Sequence, residues 1–388
     1  MGGEKYMKEP KLRFKADDGS DFPDWEEKKL GDMFSISAGG DIDKNNSSKE
    51  KSCSYPYPVY ANALMNDGLY GYANYFKVDG DTFTVTGRGD VGYAVARHCK
   101  YVPIVRLLVC RPKENDNVDF FAEQVNCARI FIESTGVPQL TAPQLAVIKL
   151  LRPSLPEQQK IADFLSTIDT VIEKQQATVS AWEERKKGVM QKLFSQEVRF
   201  KADDGSDFPD WEEKRLGDMV EFINGRAYKQ DELLASGKYI VLRVGNLFTN
   251  DSYYYSDLEL DEDKYIEDGN LIYAWSATFG PKIYHGDKCI YHYHIWKLKF
   301  DENAISKMFL NYYLQHDVEK IKSKRTGGTM VHITKNAMEH RELEFPSLPE
   351  QQKIADCLSA LDTVIQKQKE TLEKWQELKK GLLQQMFV

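Results

Sequence analysis

Two stretches of the chain, 153–194 and 346–387, carry apolar residues in alternating steps of three and four. The spacing continues for more than four heptads, which predicts a long amphipathic helix with one apolar seam in each stretch. Both open with Ser-Leu-Pro-Glu, a pattern that predicts a capping box at the helix start and a proline in the first turn. At ~1.5 Å per residue, a helix over 157–193 spans roughly 55 Å. Because such a stripe needs a partner, we expect the two helices to pair antiparallel about a pseudo-two-fold axis.

The seam of this helix pair is mostly apolar, with a lysine at the same place in each copy. Gln175 and Gln368 also fall at matching seam positions. These glutamines, like Lys186 and Lys379, are either tolerated polar residues or set the register of the pair, because buried polar groups penalise wrong alignments. The apolar residues that we expect at the seam are Ile161, Leu165, Ile168, Ile172, Trp182, Ile354, Leu358, Leu361, Ile365 and Trp375.

The helical stretches belong to a larger internal repeat. Residues 13–33 recur at 199–219 with 20 of 21 positions identical, and this opening segment precedes a unique stretch of the chain in both places. The unique stretches, about 34–152 and 220–345, have little evident similarity to each other. The order therefore predicts two half-molecules that share a frame and carry different inserts.

Both inserts contain short β-type runs separated by Gly and Asn/Asp turns. These runs lie at 83–86, 91–97 and 104–110 in the first insert, and at 239–245, 271–277 and 289–300 in the second, before a helix at 307–322. The predicted fold class is α+β: two globular α/β domains separated by two long helices that form an antiparallel coiled coil, with a pseudo-two-fold internal repeat. We expect boundaries at 1–23 (N-terminal segment), 24–152 (first domain), 153–198 (first helix), 199–345 (second domain with its opening segment) and 346–388 (second helix).

Motifs for catalysis and metal binding are weak. Residues 87–92 match GxGxxG, but a strand-like run follows where a dinucleotide site needs a helix, so we expect a Gly-rich hairpin that presents Arg88. Residues 23–28 contain the letters of a metal nuclease, yet they recur at 209–214 and fit an opening segment that packs its Trp25 or Trp211. His292 and His294 share one face of a predicted strand without a third ligand at sensible spacing. We therefore expect no catalytic residues, no bound metal and no enzymatic activity.

Candidate nucleic-acid contacts lie in the two inserts. Arg and Asn side chains can read guanine and adenine bidentately in the major groove, and a basic run beside Gly and Thr suits phosphate contact. The candidates are Tyr60, Asn62, Arg88 and Arg97 in the first insert, and Arg243, Asn246, Trp275, Lys322, Lys324, Arg325, Thr326 and Thr329 in the second.

The composition of the chain excludes some classes of protein but does not identify the function. With 52 basic and 60 acidic side chains the formal charge is −8, so any basic footprint for nucleic acid must be local. The six cysteines form no CxxC pair, which argues against a zinc site or a disulfide scaffold and fits a reducing cytosol. No run of ~18 apolar residues and no secretory h-region are present, so we expect a cytoplasmic protein that does not enter a membrane.

The chain resembles the DNA-specificity subunit of type I restriction-modification systems. The resemblance is carried by PSLPEQQKIADFLSTIDTVI at 153–172, by its copy at 346–365 and by the Lys-Lys-Gly that follows each. The resemblance implies two target-recognition domains, each reading half of an asymmetric bipartite site in double-stranded DNA. It also implies that the helices act as a spacer and dock two methyltransferase subunits, to which motor-nuclease subunits can add. The chain would then need no cofactor, with S-adenosylmethionine, ATP and magnesium on the partner subunits.

Two other classes of protein fit parts of the pattern. A coiled-coil adaptor would use its variable domains to bind protein, and a metal nuclease would cleave DNA alone with magnesium. Of the two non-catalytic readings, only the DNA reader should retard duplex DNA with a steep dependence on salt.

Overall fold

The computed structural model describes residues 10–128, 130, 139–248, 250–276, 279–323 and 333–387, with the side chains of Lys322 and Ser323 excepted. The chain divides into two compact units, unit 1 comprising Met1–Gln176 with Glu370–Val388, and unit 2 comprising Ala177–Lys369. Each unit thus holds one insert and half of each long helix. None of the described helices has the length and apolar content that crossing a membrane requires.

The first half of the chain forms ten strands and four helices among its described residues. They are β1 (Glu26–Lys29), α1 (Leu30–Met33), β2 (Phe34–Ala38), β3 (Ser47–Ser48), β4 (Tyr57–Tyr60), β5 (Leu69–Ala73), β6 (Thr82–Val85), β7 (Ala94–Arg97), β8 (Val102–Pro103), β9 (Leu108–Pro112), α2 (Val118–Cys127), α3 (Ala142–Ala146), β10 (Lys149–Arg152) and α4 (Leu155–Phe194).

Unit 1 contains two four-stranded sheets. The first has the order β2-β9-β6-β7 and is antiparallel throughout, and the second, β3-β5-β4-β8, has a parallel pair between β4 and β8. The core of unit 1 lies between the first sheet and α2, where Phe34 packs edge to face against Phe83 and Phe121 with ring centroids 5.0 Å apart. A β1-β10 ribbon leads into α4.

The second half of the chain repeats this order of elements. They are β11 (Glu212–Arg215), α5 (Leu216–Met219), β12 (Glu221–Asn224), β13 (Tyr239–Leu242), α6 (Val244–Phe248), β14 (Tyr254–Ser256), β15 (Tyr265–Ile266), β16 (Leu271–Ala274), β17 (Gly280–Ile283), β18 (Cys289–Tyr291), β19 (Ile295–Lys299), α7 (Lys307–Ser323), α8 (Lys335–Glu339), β20 (Glu342–Phe345) and α9 (Leu348–Phe387).

Unit 2 has the same sheet plan as unit 1, since β12-β19-β16-β17 matches the first sheet and β13 again pairs parallel with a later strand, β18. Its core packs Trp296 and Tyr273 near Phe309 of α7. The α+β class with two domains on long helices is confirmed. The single strand expected over 289–300 is wrong: a turn at 292–294 divides it into β18 and β19.

The long helices α4 and α9 run antiparallel within each unit. In unit 1, Ile161 and Leu165 share a core with Met386 and Phe387. In unit 2, Met190 and Leu193 of α4 share a core with Ile354 and Leu358 of α9. Of the ten seam residues, Ile161, Leu165, Ile168, Ile354, Leu358 and Ile365 are buried, and Ile172, Trp182, Leu361 and Trp375 are half-buried.

Helix α4 begins where the sequence predicts, but the predicted capping box between Ser154 and Glu157 does not form. The carboxylate of Glu157 accepts hydrogen bonds from Arg13 Nε and Nη2 (3.0 and 2.9 Å) and from Trp25 Nε1 (3.0 Å). The Ser154 hydroxyl makes no hydrogen bond to any residue that the structure describes. A buried carboxylate gains more from a guanidinium than from a main-chain N–H, because both partners are charged. The opening segment is therefore anchored to the helix that follows the insert.

The second opening segment is held in the same way. Glu350 of α9 accepts from Arg199 Nη2 (2.8 Å) and Trp211 Nε1 (3.2 Å). Asp24 and Asp210, the aspartates of the nuclease-like letters, are exposed at the surface. The described residues contain no group of three His, Cys, Asp or Glu side chains that could hold a metal ion.

Candidate nucleic-acid interface

Three loops of unit 1 meet at one end of its sheets: residues 61–68 after β4, 86–93 between β6 and β7, and 104–107 between β8 and β9. The Asn62 side chain joins them. Its Nδ2 donates to the Val105 carbonyl (2.6 Å), and its Oδ1 accepts from the Gly87 N–H (2.7 Å). The structure thus gives Asn62 an internal role, because both ends of its amide are bonded to main chain. We call these three loops the unit 1 tip.

The unit 1 tip concentrates unusual backbone conformations. Asn66, Asp67, Val105 and Arg106 have φ between 49° and 61°, and only one other non-glycine residue among those described has a positive φ. Such conformations cost about 1–3 kcal/mol each and cluster at functional sites. Val105 and Arg106 are exposed here, and Met65, directly before Asn66, is 80% exposed. Sequence reasoning missed these residues, and its one available signal was Asn-Asp-Gly at 66–68, which favours left-handed turns.

Tyr60 and Arg97 contact each other, and Arg97 is bonded to the unit 1 tip. The Arg97 side chain is 6% exposed, its guanidinium lies 3.7 Å from the Tyr60 ring centroid, and its Nε donates to Thr84 Oγ1 (3.2 Å). Its Nη2 donates to the Asp67 carbonyl, which holds the strained loop. Burial raises the pKa of Tyr60. These bonds give the pair a supporting role, and a base contact by either residue stays a prediction.

Arg88 lies in the hairpin loop between β6 and β7, as expected from the Gly-rich motif. Gly89 and Gly92 have φ of 69° and 91°, values that favour glycine. A Cβ on Gly87 would lie 2.8 Å from the Leu140 carbonyl oxygen, so only glycine lets the loop pass that close. Arg88 itself is half-buried at the tip.

The equivalent region of unit 2 comprises Arg243, α6 with the described residues after it up to 253, Trp275 directly after β16 and the turn 292–294, and we call it the unit 2 tip. Asn246 holds its own loop: its Oδ1 accepts from the Arg243 N–H (3.1 Å), and its Nδ2 donates to the carbonyls of Asn250 and Ser252. The Arg243 guanidinium lies 4.3 Å from the Tyr254 ring centroid.

Aromatic and imidazole rings dominate the unit 2 tip. Trp275 Nε1 donates to the Tyr293 carbonyl (2.8 Å), and its ring stacks on Trp296 with an interplanar angle of 22°. The rings of His292 and His294 lie 4.8 Å apart. Burial, with help from the charges of His294 and Arg243, lowers the pKa of His292 to about 4, so its imidazole is neutral near pH 7. Tyr293, which the sequence did not single out, is 38% exposed.

The basic run after α7 lies largely outside the described residues. The backbone of Lys322 belongs to α7, which ends at Ser323. The Lys322 side chain and Lys324, Arg325, Thr326 and Thr329 are outside the described part of the chain. Their contacts with phosphate therefore stay predictions.

The two tips offer recognition chemistry of different kinds. The unit 1 tip carries Arg88, Arg106 and the exposed apolar side chain of Met65, whereas the unit 2 tip carries Arg243 and the half-buried ring of Trp275, which stacks on the buried Trp296. Guanidinium groups and aromatic faces suit hydrogen bonding to base edges and stacking. The same loop positions of one frame thus carry two different surfaces.

Comparison with known proteins agrees with this layout. The family model described as "Type I restriction modification DNA specificity domain" matches residues 23–179 and 209–374. The MjaVIII type I specificity subunit of Methanocaldococcus jannaschii is 28% identical over 266 residues, 62% of each chain. The putative MjaX specificity subunit of that organism is 25% identical over 93% of each chain. The alignment with MjaVIII thus spans less than two thirds of that relative.

A solved structure shares the fold over nearly the whole chain. The crystal structure of a type I restriction-modification S subunit from M. genitalium superposes with a TM-score of 0.58 at 16% identity, covering 98% of this chain and 99% of that one. The two family-model matches together span most of the sequence, one in each half of the repeat. The chain therefore belongs to the type I restriction-modification DNA specificity family.

Proposed function

We propose that this protein is the DNA sequence-recognition subunit of a type I restriction-modification complex. In this proposal, residues 24–152 and 199–345 are the recognition domains, and each reads one half of an asymmetric bipartite site in double-stranded DNA. The observation that carries the proposal is the contrast between the tips, which occupy equivalent places in one repeated frame but present different side chains. Two different readers in a common frame suit two different half-sites.

The repeated parts of the chain suit repeated partners. Near-identical opening segments and helix starts would bind two copies of one subunit, which we propose to be the methyltransferase, and motor-nuclease subunits would join them. S-adenosylmethionine, ATP and magnesium would then be bound by those subunits. The formal charge of −8 fits this division, because partners can supply much of the phosphate contact while this chain supplies base contacts.

A methylation map tests the proposal. The chain is co-expressed with the methyltransferase subunit encoded beside it, in a host without adenine methylation, and the genome is sequenced with modification-sensitive long reads. We expect one bipartite, asymmetric motif with N6-methyladenine in both halves. If a stable complex forms but no motif appears, the variable domains bind protein and the chain is an adaptor.

Arg88→Ala is expected to relax only the half-site read by unit 1. If Arg88 contacts a base, its loss should cost about 1–3 kcal/mol at one position of that half-site and leave the other half unchanged. The measurement is the methylation map of the variant, with Arg111→Ala, on the exposed face of β9, as the matched control. An even loss across all sequences would instead assign Arg88 to phosphate contact.

A further inference from the structure

The helices α4 and α9 carry a lysine–aspartate ion pair at equivalent places in the two units. In unit 1, Lys379 Nζ lies 2.8 Å from Asp169 Oδ1. In unit 2, Lys186 Nζ lies 2.6 Å from Asp362 Oδ1. The repeat exchanges the roles of the helices, so that α9 supplies the lysine in unit 1 and α4 supplies it in unit 2. The lysine side chains are largely covered, at 19% and 16% exposed, while Asp169 and Asp362 are 39% and 43% exposed.

One helix of each insert packs on this helix pair: α2 in unit 1 and α7 in unit 2. The main-chain N–H directly before each of these helices donates to a glutamine side chain of α4 or α9. Gln158 Oε1 accepts from the Asn117 N–H (2.8 Å), directly before α2. Gln351 Oε1 accepts from the Ser306 N–H (2.9 Å), directly before α7. A main-chain N–H is present at any residue except proline, so this bond places no further demand on the side chain of the insert.

A second bond, six residues further along, depends on the side chain. In unit 1 that position is Glu123, whose Oε1 lies 2.7 Å from Lys379 Nζ. In unit 2 it is Tyr312, whose hydroxyl donates to Asp362 Oδ2 (2.6 Å) and whose ring lies 4.9 Å from Lys186 Nζ. The carboxylate in unit 1 therefore binds the lysine of the unit 1 ion pair, whereas the phenol in unit 2 binds the aspartate of the unit 2 ion pair.

We infer that the lysine–aspartate pair is a docking point for the insert, which accepts either an acid or a hydroxyl from the sixth helix position, and that Glu123 and Tyr312 are the positioning residues that orient their domains on the helices. An ammonium offers three donors and a carboxylate about four acceptor sites, so the pair can hold ligands of either character. Neither insert needs to resemble the other for this contact. The consequence for reading DNA rests on the proposed function, but the docking itself does not.

Surrounding residues support an exchangeable contact. Ser359 Oγ lies 3.2 Å from the Tyr312 hydroxyl, and the repeat places Ser166 at the corresponding position of α4 in unit 1. Ser166, Glu123, Asp169 and Lys379 line one groove of about 490 Å³, which leaves room for a larger side chain at position 123. Burial opposes the charge of Lys379, yet the attraction of Glu123 and Asp169 outweighs it and raises the pKa of Lys379.

The test exchanges the two chemistries within the full-length chain. Glu123→Leu should raise the hydrogen exchange rate of the α2 amides about tenfold, because loss of the bond favours local opening of α2. Glu123→Tyr should restore the rate to within about twofold by bonding Asp169 and Ser166, and Tyr312→Glu should hold α7 through Lys186 where Tyr312→Phe does not. The untouched unit is the control, since α7 should not respond to changes at Glu123.

The outcomes separate docking from DNA reading. If Glu123→Tyr exchanges as fast as Glu123→Leu, or if Glu123→Leu changes nothing, the docking point is refuted whatever the methylation map shows. If exchange follows the expected pattern, the docking point holds even when no methylated motif exists. When both hold, Glu123→Leu should reduce methylation of sites through the first half-site, and Glu123→Tyr should recover it.

Discussion

Replacing Glu157 with alanine is expected to lower the free energy of unfolding of unit 1 by about 3 kcal/mol. The Glu157 side chain is fully buried and accepts hydrogen bonds from Arg13 and Trp25. Its removal takes the carboxylate partner from Arg13, which keeps its bond to the Pro23 carbonyl, and takes the acceptor from the Trp25 indole N–H. Breaking a buried ion pair costs about 3–5 kcal/mol. The lower end applies because the Arg13 side chain is 27% exposed and regains some hydration.

The repeat supplies a matched variant for this experiment. Glu350→Ala removes the same bonds from Arg199 and Trp211 and should destabilise unit 2 by a similar amount. Denaturant unfolding of both variants, followed by tryptophan fluorescence, would assign each transition to its unit. Glu26→Ala, at an exposed position, is the control and should change little. A loss below about 1 kcal/mol for Glu157→Ala would mean that the opening segment is not held by this carboxylate.

Lengthening both helices by one heptad is expected to reduce methylation of the original DNA site more than about 100-fold, because base pairs of one half-site are lost at about 1–3 kcal/mol each. The added heptads duplicate residues 170–176 in α4 and 363–369 in α9. Each duplicated stretch ends at a boundary between unit 1 and unit 2. A heptad adds about 10 Å of helix. At about 3.4 Å per base pair, the spacer of the new motif should lengthen by up to about three base pairs.

The half-sites themselves should not change, because the insertions leave both tips untouched. A methylation map of the variant gives spacer and half-sites together, and altered half-site bases would contradict the role of the helices as a spacer. Insertion into α4 alone is the control. It should impair both halves of the site, because α4 and α9 pair antiparallel and one longer helix displaces the seam of its partner.

Features that depend on local or repeated patterns could be predicted from the sequence. The seam of α4 and α9, the duplicated opening segment and the hairpin at Gly87–Gly92 each leave a periodic or glycine signal within a few residues. The capping box failed because Arg13, distant in sequence, competes for the Glu157 carboxylate. The strand over 289–300 failed because alternation continues through His292 and His294 although the backbone turns there.

Features that depend on distant contacts left no such signal. The unit 1 tip exists because Asn62 bonds both Val105 and Gly87, and nothing near Arg106 in the sequence indicates that it lies beside Arg88's loop. Lys186 and Lys379 appeared only as polar residues at a seam. Their partners Glu123 and Tyr312 come from inserts without common sequence, so the shared position is visible only once α2 and α7 are superposed on the repeat.

Unit 1 is assembled from both ends of the sequence, and this affects the order in which the units can fold during synthesis. Unit 2 is continuous from Ala177 to Lys369, so it can close as soon as that stretch leaves the ribosome. The core of unit 1 includes Met386 and Phe387. At about 5–20 residues per second, the first domain waits about 10–40 s for these side chains. Until then the core that contains Ile161 and Leu165 lacks these two side chains, so the nascent N-terminal half is the stage at which a chaperone has most apolar surface to bind.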